Sequence, residues 1–201
     1  MKIGILGGSF DPIHNGHLNM AKSALEEFEL DKVWIMPAAH SPNKEEANMT
    51  SGQMRLEMCE LAVKELSEIE VSDFEFQYQE TSYTYMTLQR LCEKYPEHEF
   101  YFIMGADSLD YFEKWYHPEI IAQLCTILVI IREGFSRDSM QKKVNELQKL
   151  FSCDIRLATC PRYDISSTEI RNILHSSQSC KEFIPEAVLE YINKNNLYKL
   201  V

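Results

Sequence analysis

An α/β fold with a doubly wound parallel sheet is predicted by the alternation of strand-like and helix-like segments. Short apolar runs of strand length alternate with longer segments whose apolar residues recur at helical spacing. The predicted strands are Lys2–Leu6, Lys32–Met36, Glu68–Ser72, Glu99–Met104, Thr126–Ile131 and Asp154–Ala158. The predicted helices are Leu18–Phe28, Gln53–Leu66, Thr84–Tyr95, Met140–Leu150, Ser167–His175 and Pro185–Asn195. This order is typical of βαβ units in a Rossmann-like sheet with helices on both faces, here followed by a small C-terminal helical portion.

The composition indicates one globular domain covering residues 1–201, because 45% of the residues are hydrophobic and 25% are charged. The 31 acidic residues outnumber the 20 basic residues and give a net charge of −11. Binding to a nucleic acid polymer needs an extended basic surface, so this class of partner is excluded. Any phosphate site must therefore be local.

The apolar segments are too short for a membrane helix or a secretion signal. The longest run, Cys125 to Ile131, has the length of a strand, and Met1–Leu6 is followed at once by glycines. The six cysteines form no CxxC pair, and several lie in apolar segments, which favours reduced core thiols over disulfides or a zinc site. We therefore predict a cytoplasmic protein with no membrane partner.

A glycine-rich segment, Gly7-Gly8-Ser9-Phe10-Asp11-Pro12, directly follows the first predicted strand. Glycines at this place let backbone N–H groups approach a phosphate, and the start of the next helix adds positive partial charge. The segment matches neither the GxGxxG fingerprint nor the P-loop. A phosphate-binding turn and a plain turn therefore both remain open.

His14 and His17 lie near the start of the first predicted helix, and their spacing can place both imidazoles on one helical face. Such a pair can donate hydrogen bonds to a polyphosphate and, when protonated, neutralise part of its charge. A structural pair or an incidental surface pair is an equally simple explanation. A metal site would need further ligands, which this stretch does not supply.

A second helix start is predicted in Ile165-Ser166-Ser167-Thr168-Glu169-Ile170-Arg171. Ser166, with Glu169 three residues later, has the pattern of a capping box. The N–H groups of Ser167 and Thr168, with Arg171 one turn later, also form a candidate anion site. A helix cap alone is the simpler explanation, but two helix starts of this kind would suit one triphosphate held from both sides.

GGSFDPIHNGH together with ISSTEIR resembles the paired motifs of the HxGH nucleotidylyltransferase superfamily. The segments between them are similar to its bacterial nicotinate-mononucleotide adenylyltransferase branch. These segments are Lys44 after a proline-rich loop, Arg55, Ser82-Tyr83-Thr84-Tyr85, Gly105-Ala106-Asp107, Lys114-Trp115-Tyr116 and Arg132-Glu133-Gly134-Phe135. The resemblance covers nearly the whole chain. It implies transfer of AMP from ATP to nicotinate mononucleotide, giving nicotinate adenine dinucleotide and pyrophosphate in NAD biosynthesis.

The resemblance also implies a role for each matching residue. The residues implied to act in the transfer are His14, His17, Lys44 and Arg171. The residues implied to bind ATP are Gly7, Gly8, Ser9, Phe10, Gly105, Asp107, Ser167 and Thr168. The residues implied to surround the acceptor mononucleotide are Thr84, Tyr85, Trp115 and Arg132. Without the resemblance, core packing is the better explanation of Tyr85 and Trp115, and Lys44 is a solvated loop residue.

The partners implied are ATP and nicotinate mononucleotide, with Mg²⁺ carried by ATP because the sequence shows no dedicated carboxylate cage. Pro37–Met49, the longest irregular stretch, is a candidate substrate loop, since loops at the carboxyl ends of parallel strands surround the ligand. The chain has Asn43 where the branch usually has His, and Glu133 where it usually has Pro. Asn43 can donate a hydrogen bond but cannot become cationic, and Glu133 would add negative charge beside phosphate.

Three rival functions remain open at this stage. Two are adenylyl transfer to nicotinamide mononucleotide and to phosphopantetheine, although the phosphopantetheine enzymes typically have Thr at the position of His14. The third is a nucleotide-binding regulatory module that has kept the fold without turnover. The sequence also leaves the oligomeric state open, a homo-oligomer included.

Overall fold

Six parallel strands form one sheet in the computed structural model, which describes residues 1–41, 49–131, 136–160, 165–176 and 178–199. The strands are β1 (Lys2–Gly8), β2 (Lys32–Pro37), β3 (Ile69–Val71), β4 (Glu99–Gly105), β5 (Thr126–Ile131) and β6 (Ile155–Thr159). Their order across the sheet is β3-β2-β1-β4-β5-β6, and every neighbouring pair is parallel. The predicted doubly wound parallel sheet is confirmed.

All six predicted helices are present, with ends that differ from the prediction by a few residues at most. The helices are α1 (Asn15–Glu27), α2 (Gly52–Val63), α3 (Thr84–Lys94), α4 (Ala106–Leu109), α5 (Pro118–Leu124), α6 (Arg137–Phe151), α7 (Ser167–His175) and α8 (Glu186–Lys194). The sequence analysis missed α4 and α5 because four and seven residues are too few to show a helical period. Two 3₁₀ turns, Phe74–Gln77 and Phe112–Lys114, were missed for the same reason.

The two faces of the sheet carry separate apolar cores, because successive strand side chains point to opposite faces. In β4, Phe100 and Phe102 join α3, α5 and α6 on one face, whereas Tyr101 and Ile103 join α1, α2, α7 and α8 on the other. The C-terminal helices α7 and α8 therefore complete the second core. None of the helices in the described ranges is both long and apolar enough to cross a membrane.

None of the six cysteines, all of which lie in the described ranges, forms a disulfide. Burial raises the pKa of Cys125 to about 12, and it also raises the pKa of the Cys92 and Cys153 thiols. A raised pKa keeps a thiol protonated and therefore poorly nucleophilic at neutral pH. This agrees with the prediction of reduced core thiols.

The chain order reverses between β1 and β4, which lie side by side at the centre of the sheet. In open α/β sheets the ligand crevice lies outside the carboxyl ends of the strands at such a switch point. The carboxyl end of β1 is Gly7-Gly8, and that of β4 is Gly105. The topology thus brings two of the predicted nucleotide-binding segments together.

Candidate active site

The loop after β1 is held in a strained backbone conformation. Phe10 has a φ of 48°, in the left-handed region that costs a non-glycine residue about 1–2 kcal/mol. Its ring is 2% exposed and covers Gly8, where an added Cβ would lie 3.1 Å from the Phe10 ring. A side chain at position 8 would therefore require the Phe10 ring to shift by a few tenths of an ångström. Gly8 allows the loop to fold back tightly on the end of β1.

The two histidines lie on one side of the start of α1, as predicted. His14 is the N-cap, and its ring stacks on the His17 ring with centroids 3.7 Å apart. The backbone N–H of His14 donates to Nδ1 of His17 at 3.3 Å. Because Nδ1 of His17 accepts this bond, Nε2 carries the proton in the neutral ring. Phe10 supports the pair, with its ring 4.9 Å from that of His17 in an edge-on contact.

The start of α7 is hydrogen-bonded to the loop after β1. Ser166 and Glu169 form the predicted capping box: Ser166 Oγ accepts from the Glu169 N–H at 3.2 Å, and Glu169 Oε2 accepts from the Ser166 N–H at 2.8 Å. The Ser167 hydroxyl donates to the carbonyl of Pro12 at 2.9 Å. The capped helix end therefore lies against the loop that follows β1.

Arg171 makes a second connection to the same loop. Its Nη1 donates to the carbonyl of Asp11 at 2.7 Å, and its Nη2 donates to Thr168 Oγ1 at 3.2 Å. Asp11 is itself buried and accepts a hydrogen bond from the Tyr198 hydroxyl at 2.6 Å. The paired sequence motifs thus meet in space through side chains that bind backbone carbonyls.

A pocket of about 240 Å³, here called the histidine pocket, lies between these elements. It is lined by residues of both motifs and of the β4–α4 turn, including His14, His17, Gly105, Asp107, Ser166 and Ser167. An added Cβ at Gly105 would lie 2.5 Å from Asp107 Oδ1, so only glycine allows the Asp107 carboxylate to fold back over the end of β4. Phe10, Thr168 and Arg171 are not among its lining residues, although Phe10 contacts His17 and Arg171 binds the Asp11 carbonyl and Thr168.

A larger cleft of about 520 Å³, here called the aromatic cleft, adjoins the histidine pocket. Gly7, Phe102 and Trp115 line both spaces. Trp115 packs edge-on against Phe102, with ring centroids 5.9 Å apart. The two cavities therefore lie side by side at the ends of β1 and β4.

The rim of the aromatic cleft is built from tyrosines on two segments. Tyr83, the N-cap of α3, stacks on Tyr116 with ring centroids 4.8 Å apart. Thr84 lines the cleft. Tyr85 does not line it and instead packs against Tyr116 and His117, with centroids 5.8 and 4.8 Å away. The Tyr85 ring is thus a support for the rim.

A family model described as cytidylyltransferase-like matches residues 5–173. The "Probable nicotinate-nucleotide adenylyltransferase" of Clostridium botulinum (strain Loch Maree / Type A3) is 39% identical over 196 residues, which cover 97% of this chain and 98% of the relative. A relative of the same name from Clostridium novyi (strain NT) is 38% identical over 198 residues, covering 98% and 99%. The chain belongs to the nicotinate-nucleotide adenylyltransferase family.

Solved structures agree with this membership of the nicotinate-nucleotide adenylyltransferase family. The nicotinic acid mononucleotide adenylyltransferase of Plasmodium falciparum, complexed with NaAD, is similar with a TM-score of 0.81 and 26% identity. The alignment covers 98% of this chain and 97% of that chain. A second structure of that enzyme, complexed with APC, has a TM-score of 0.78 at 24% identity and supports the fold.

Glu75 is a cleft residue that the sequence analysis of this adenylyltransferase did not single out. It lies in the 3₁₀ turn after β3 and lines the aromatic cleft, and its Oε1 accepts from the Thr87 hydroxyl at 2.7 Å. Burial raises the pKa of Glu75, while hydrogen bonding from Ser82, Thr87 and the Ala39 N–H, together with the charge of Arg55, acts in the opposite direction. No motif surrounds Glu75 in the sequence, so only its packing in three dimensions reveals it.

Two predicted site residues of the adenylyltransferase, Lys44 and Arg132, lie outside the described residues. The departures at Asn43 and Glu133 also fall there, as does most of the predicted substrate loop. Both ends of that loop are described. Ala38 follows β2, and Thr50 precedes α2.

Proposed function

We propose that this protein transfers AMP from ATP to nicotinate mononucleotide, releasing pyrophosphate and forming nicotinate adenine dinucleotide. The observation that carries the proposal is the pair of adjoining cavities at the switch point of the sheet. One cavity is polar and framed by two helix starts and two histidines, and the other is broad and lined by aromatic side chains. A triphosphate suits the first, and a pyridine ring suits the second.

In this proposal, the histidine pocket holds the phosphates of ATP. The strained loop Gly7–Phe10 offers backbone N–H groups, and His17 offers its Nε2–H. Ser167, Thr168 and the planar guanidinium of Arg171 approach from α7. His14 adds a second imidazole against the first, and Gly105 with Asp107 lies beside the nucleotide at the end of β4.

The aromatic cleft holds the acceptor in the same proposal, with the pyridine ring against Trp115. The N–H groups of Thr84 and Tyr85 lie in the first turn of α3, where a helix leaves its N–H groups without intrahelical partners. Such donors suit a ring carboxylate and would leave the N–H groups of an amide unpaired. This supports nicotinate over nicotinamide as the acceptor. Arg132 and Lys44 keep the acceptor and transfer roles that the resemblance implies for them.

The transfer itself is a phosphoryl displacement. A phosphate oxygen of nicotinate mononucleotide, already anionic at neutral pH, attacks the α-phosphorus of ATP, and the bond from that phosphorus to the bridging oxygen breaks as pyrophosphate leaves. No general base is required. The residues therefore act by placing the two phosphates in line and by neutralising charge, chiefly through His14, His17 and Arg171.

Mg²⁺ would enter with ATP. The described residues contain no group of three or more His, Cys, Asp or Glu side chains placed to hold a metal. An ion held by phosphate oxygens and water would contribute charge neutralisation on the phosphates.

The test is an assay of pyrophosphate release from ATP with three acceptors: nicotinate mononucleotide, nicotinamide mononucleotide and phosphopantetheine. We expect the highest kcat/KM with nicotinate mononucleotide. Faster turnover with either other acceptor would reassign the acceptor. Absence of pyrophosphate release with all three, from a folded protein, would favour a regulatory nucleotide-binding module.

A further inference from the structure

Arg55, on α2, is a charged residue buried to 2% exposure, and two of its backbone partners, Ser9 and Ala38, line the aromatic cleft. Burying a charged group is costly unless it is paired or fully hydrogen-bonded. The Arg55 guanidinium donates to three backbone carbonyls: Nη1 to Ser9 at 2.7 Å, Nη2 to Ala38 at 2.8 Å and Nε to Thr50 at 3.1 Å. All three nitrogens of one rigid planar group are therefore used to hold the backbone.

The three carbonyls belong to the segments that form the site. Ser9 lies in the loop after β1, directly before the strained Phe10. Ala38 is the first residue of the segment that joins β2 to α2, and Thr50 lies directly before Ser51, its last residue. A single side chain thus fixes where the phosphate-binding loop lies relative to Ala38, near the start of the candidate substrate loop Pro37–Met49, and to Thr50, the residue that follows it.

The bond to Ser9 also sets the direction of a peptide plane. In a trans peptide the carbonyl and the following N–H point to opposite sides, so the Ser9 carbonyl directed at Arg55 turns the Phe10 N–H away from it. Ser9 and Ala38 also line the aromatic cleft. Arg55 therefore holds the backbone of both the cleft wall and the phosphate-binding loop without lining the cleft itself.

We propose that Arg55 is a positioning residue for adenylyl transfer, which keeps the ATP-binding loop and the acceptor side of the site in register without touching either substrate. The inference rests on the proposed function. Its physical basis is that in-line transfer depends on placement, so that a shift of about 1 Å remote from the reacting atoms can lower the rate by about 10²-fold.

The test compares Arg55→Lys with the parent protein. Pyrophosphate release by each is measured at saturating ATP and nicotinate mononucleotide. Lysine keeps the charge, but one ammonium group on a flexible stem cannot bridge three carbonyls in a fixed plane. We expect kcat per folded molecule to fall about tenfold or more. The folded fraction is measured by circular dichroism at the assay temperature.

Arg156→Lys is the matched control. Arg156 lies on β6 and pairs with Asp154 at 2.7 Å, remote from both cavities, so kcat should be unchanged. If Arg55→Lys is folded and has the parental kcat, Arg55 serves stability alone and the inference is wrong. If Arg55→Lys does not fold, Arg55→Gln, which keeps two donors without the charge, is assayed in the same way. Failure of both variants to fold would also overturn the inference, because the fold itself would then require the guanidinium.

The proposed function and this inference fail in different ways. A parent protein that releases no pyrophosphate with any acceptor contradicts the function. An active parent together with a folded and fully active Arg55→Lys variant contradicts only the role of Arg55.

Discussion

The histidine pocket is held by hydrogen bonds between segments far apart in the chain, whereas the rim of the aromatic cleft is formed by ring contacts between two short segments. Ser167 and Arg171 bind carbonyls 155 and 160 residues away. Tyr83 and Tyr116, by contrast, meet through their rings alone at the mouth of the cleft. The histidine pocket is held by hydrogen bonds to backbone carbonyls, and the rim of the aromatic cleft is held by contacts between rings.

This difference follows from what each region has to bind. Charge on a phosphate is stabilised by donors held at fixed positions, so the backbone that carries these donors must itself be held in place. A flat ring needs apolar area and is tolerant of small shifts. We therefore expect changes in the histidine pocket to lower kcat and changes in the aromatic cleft to raise KM.

The largest expected effect is that of His17→Ala on kcat. Removing one donor aimed at charge that develops during transfer typically lowers the rate by about 10²–10³-fold. Steady-state kinetics measure kcat, and circular dichroism checks the fold. His175→Ala is the control, because His175 is exposed in the last turn of α7. A folded His17→Ala variant with near-parental kcat would show that the histidine pair is only a helix cap.

A smaller loss is expected for Arg171→Lys. The guanidinium binds the Asp11 carbonyl and Thr168 with separate nitrogens, and one ammonium group cannot do this while also facing a phosphate. Loss of a hydrogen bond to a charged group, worth about 1.5–3 kcal/mol, corresponds to a fall in kcat of about tenfold or more. Arg156→Lys again serves as the control. Parental kinetics in the lysine variant would show that the guanidinium of Arg171 is not needed for the transfer.

Trp115→Ala tests the expectation that changes in the aromatic cleft raise KM. Loss of stacking on the pyridine ring, worth about 1–3 kcal/mol per base where bases stack on aromatic side chains, should raise KM for the mononucleotide about fivefold or more with little change in kcat. The KM for ATP should rise less, although Trp115 also borders the histidine pocket. Trp115→Phe should keep most of the affinity. Impairment toward ATP alone would mean that the acceptor lies on another segment.

The sequence predicted the fold well because each strand and long helix has its own local signal. Lys2–Gly8 and Thr126–Ile131 are apolar runs of strand length, and the capping box at Ser166 marks the start of α7 to the residue. The short helices α4 and α5 have no such signal. Helix α4 begins where β4 ends. Helix α5 begins at Pro118, directly after His117, whose backbone is in the left-handed region.

The candidate site was predictable only where its residues lie in compact motifs. The spacing of His14 and His17 predicted a shared face, and their rings do stack. The carbonyl contacts of Arg55 and Arg171 could not be predicted, because backbone partners carry no signature in the sequence. Glu75 was missed because only the packing of α3 and of the loop after β2 surrounds it with polar partners.

The smallest expected effect concerns the protonation of Glu75 in the wall of the aromatic cleft. Burial raises the pKa of Glu75, against the opposing influence of Arg55 and of hydrogen bonds from Thr87, Ser82 and Ala39. A carboxyl group whose pKa is raised by folding contributes stability that is fully present below its unfolded pKa of about 4.3 and is lost as the pH rises through its folded pKa. Glu75→Gln does not titrate, so it should not show this loss.

We therefore expect the free energy of unfolding of the parent, minus that of Glu75→Gln, to decrease between pH 4.5 and pH 7.5 in urea titrations. Each pKa unit by which folding raises the pKa corresponds to about 1.4 kcal/mol of this decrease. Taking the difference cancels the titration of groups that the two proteins share. Glu80→Gln, at an exposed neighbour paired with Arg90, is measured in the same way as the control for replacing a surface carboxylate. A difference that increases with pH would mean that Arg55 and the hydrogen bonds outweigh burial, and that the cleft wall is negatively charged where the acceptor's carboxylate would bind.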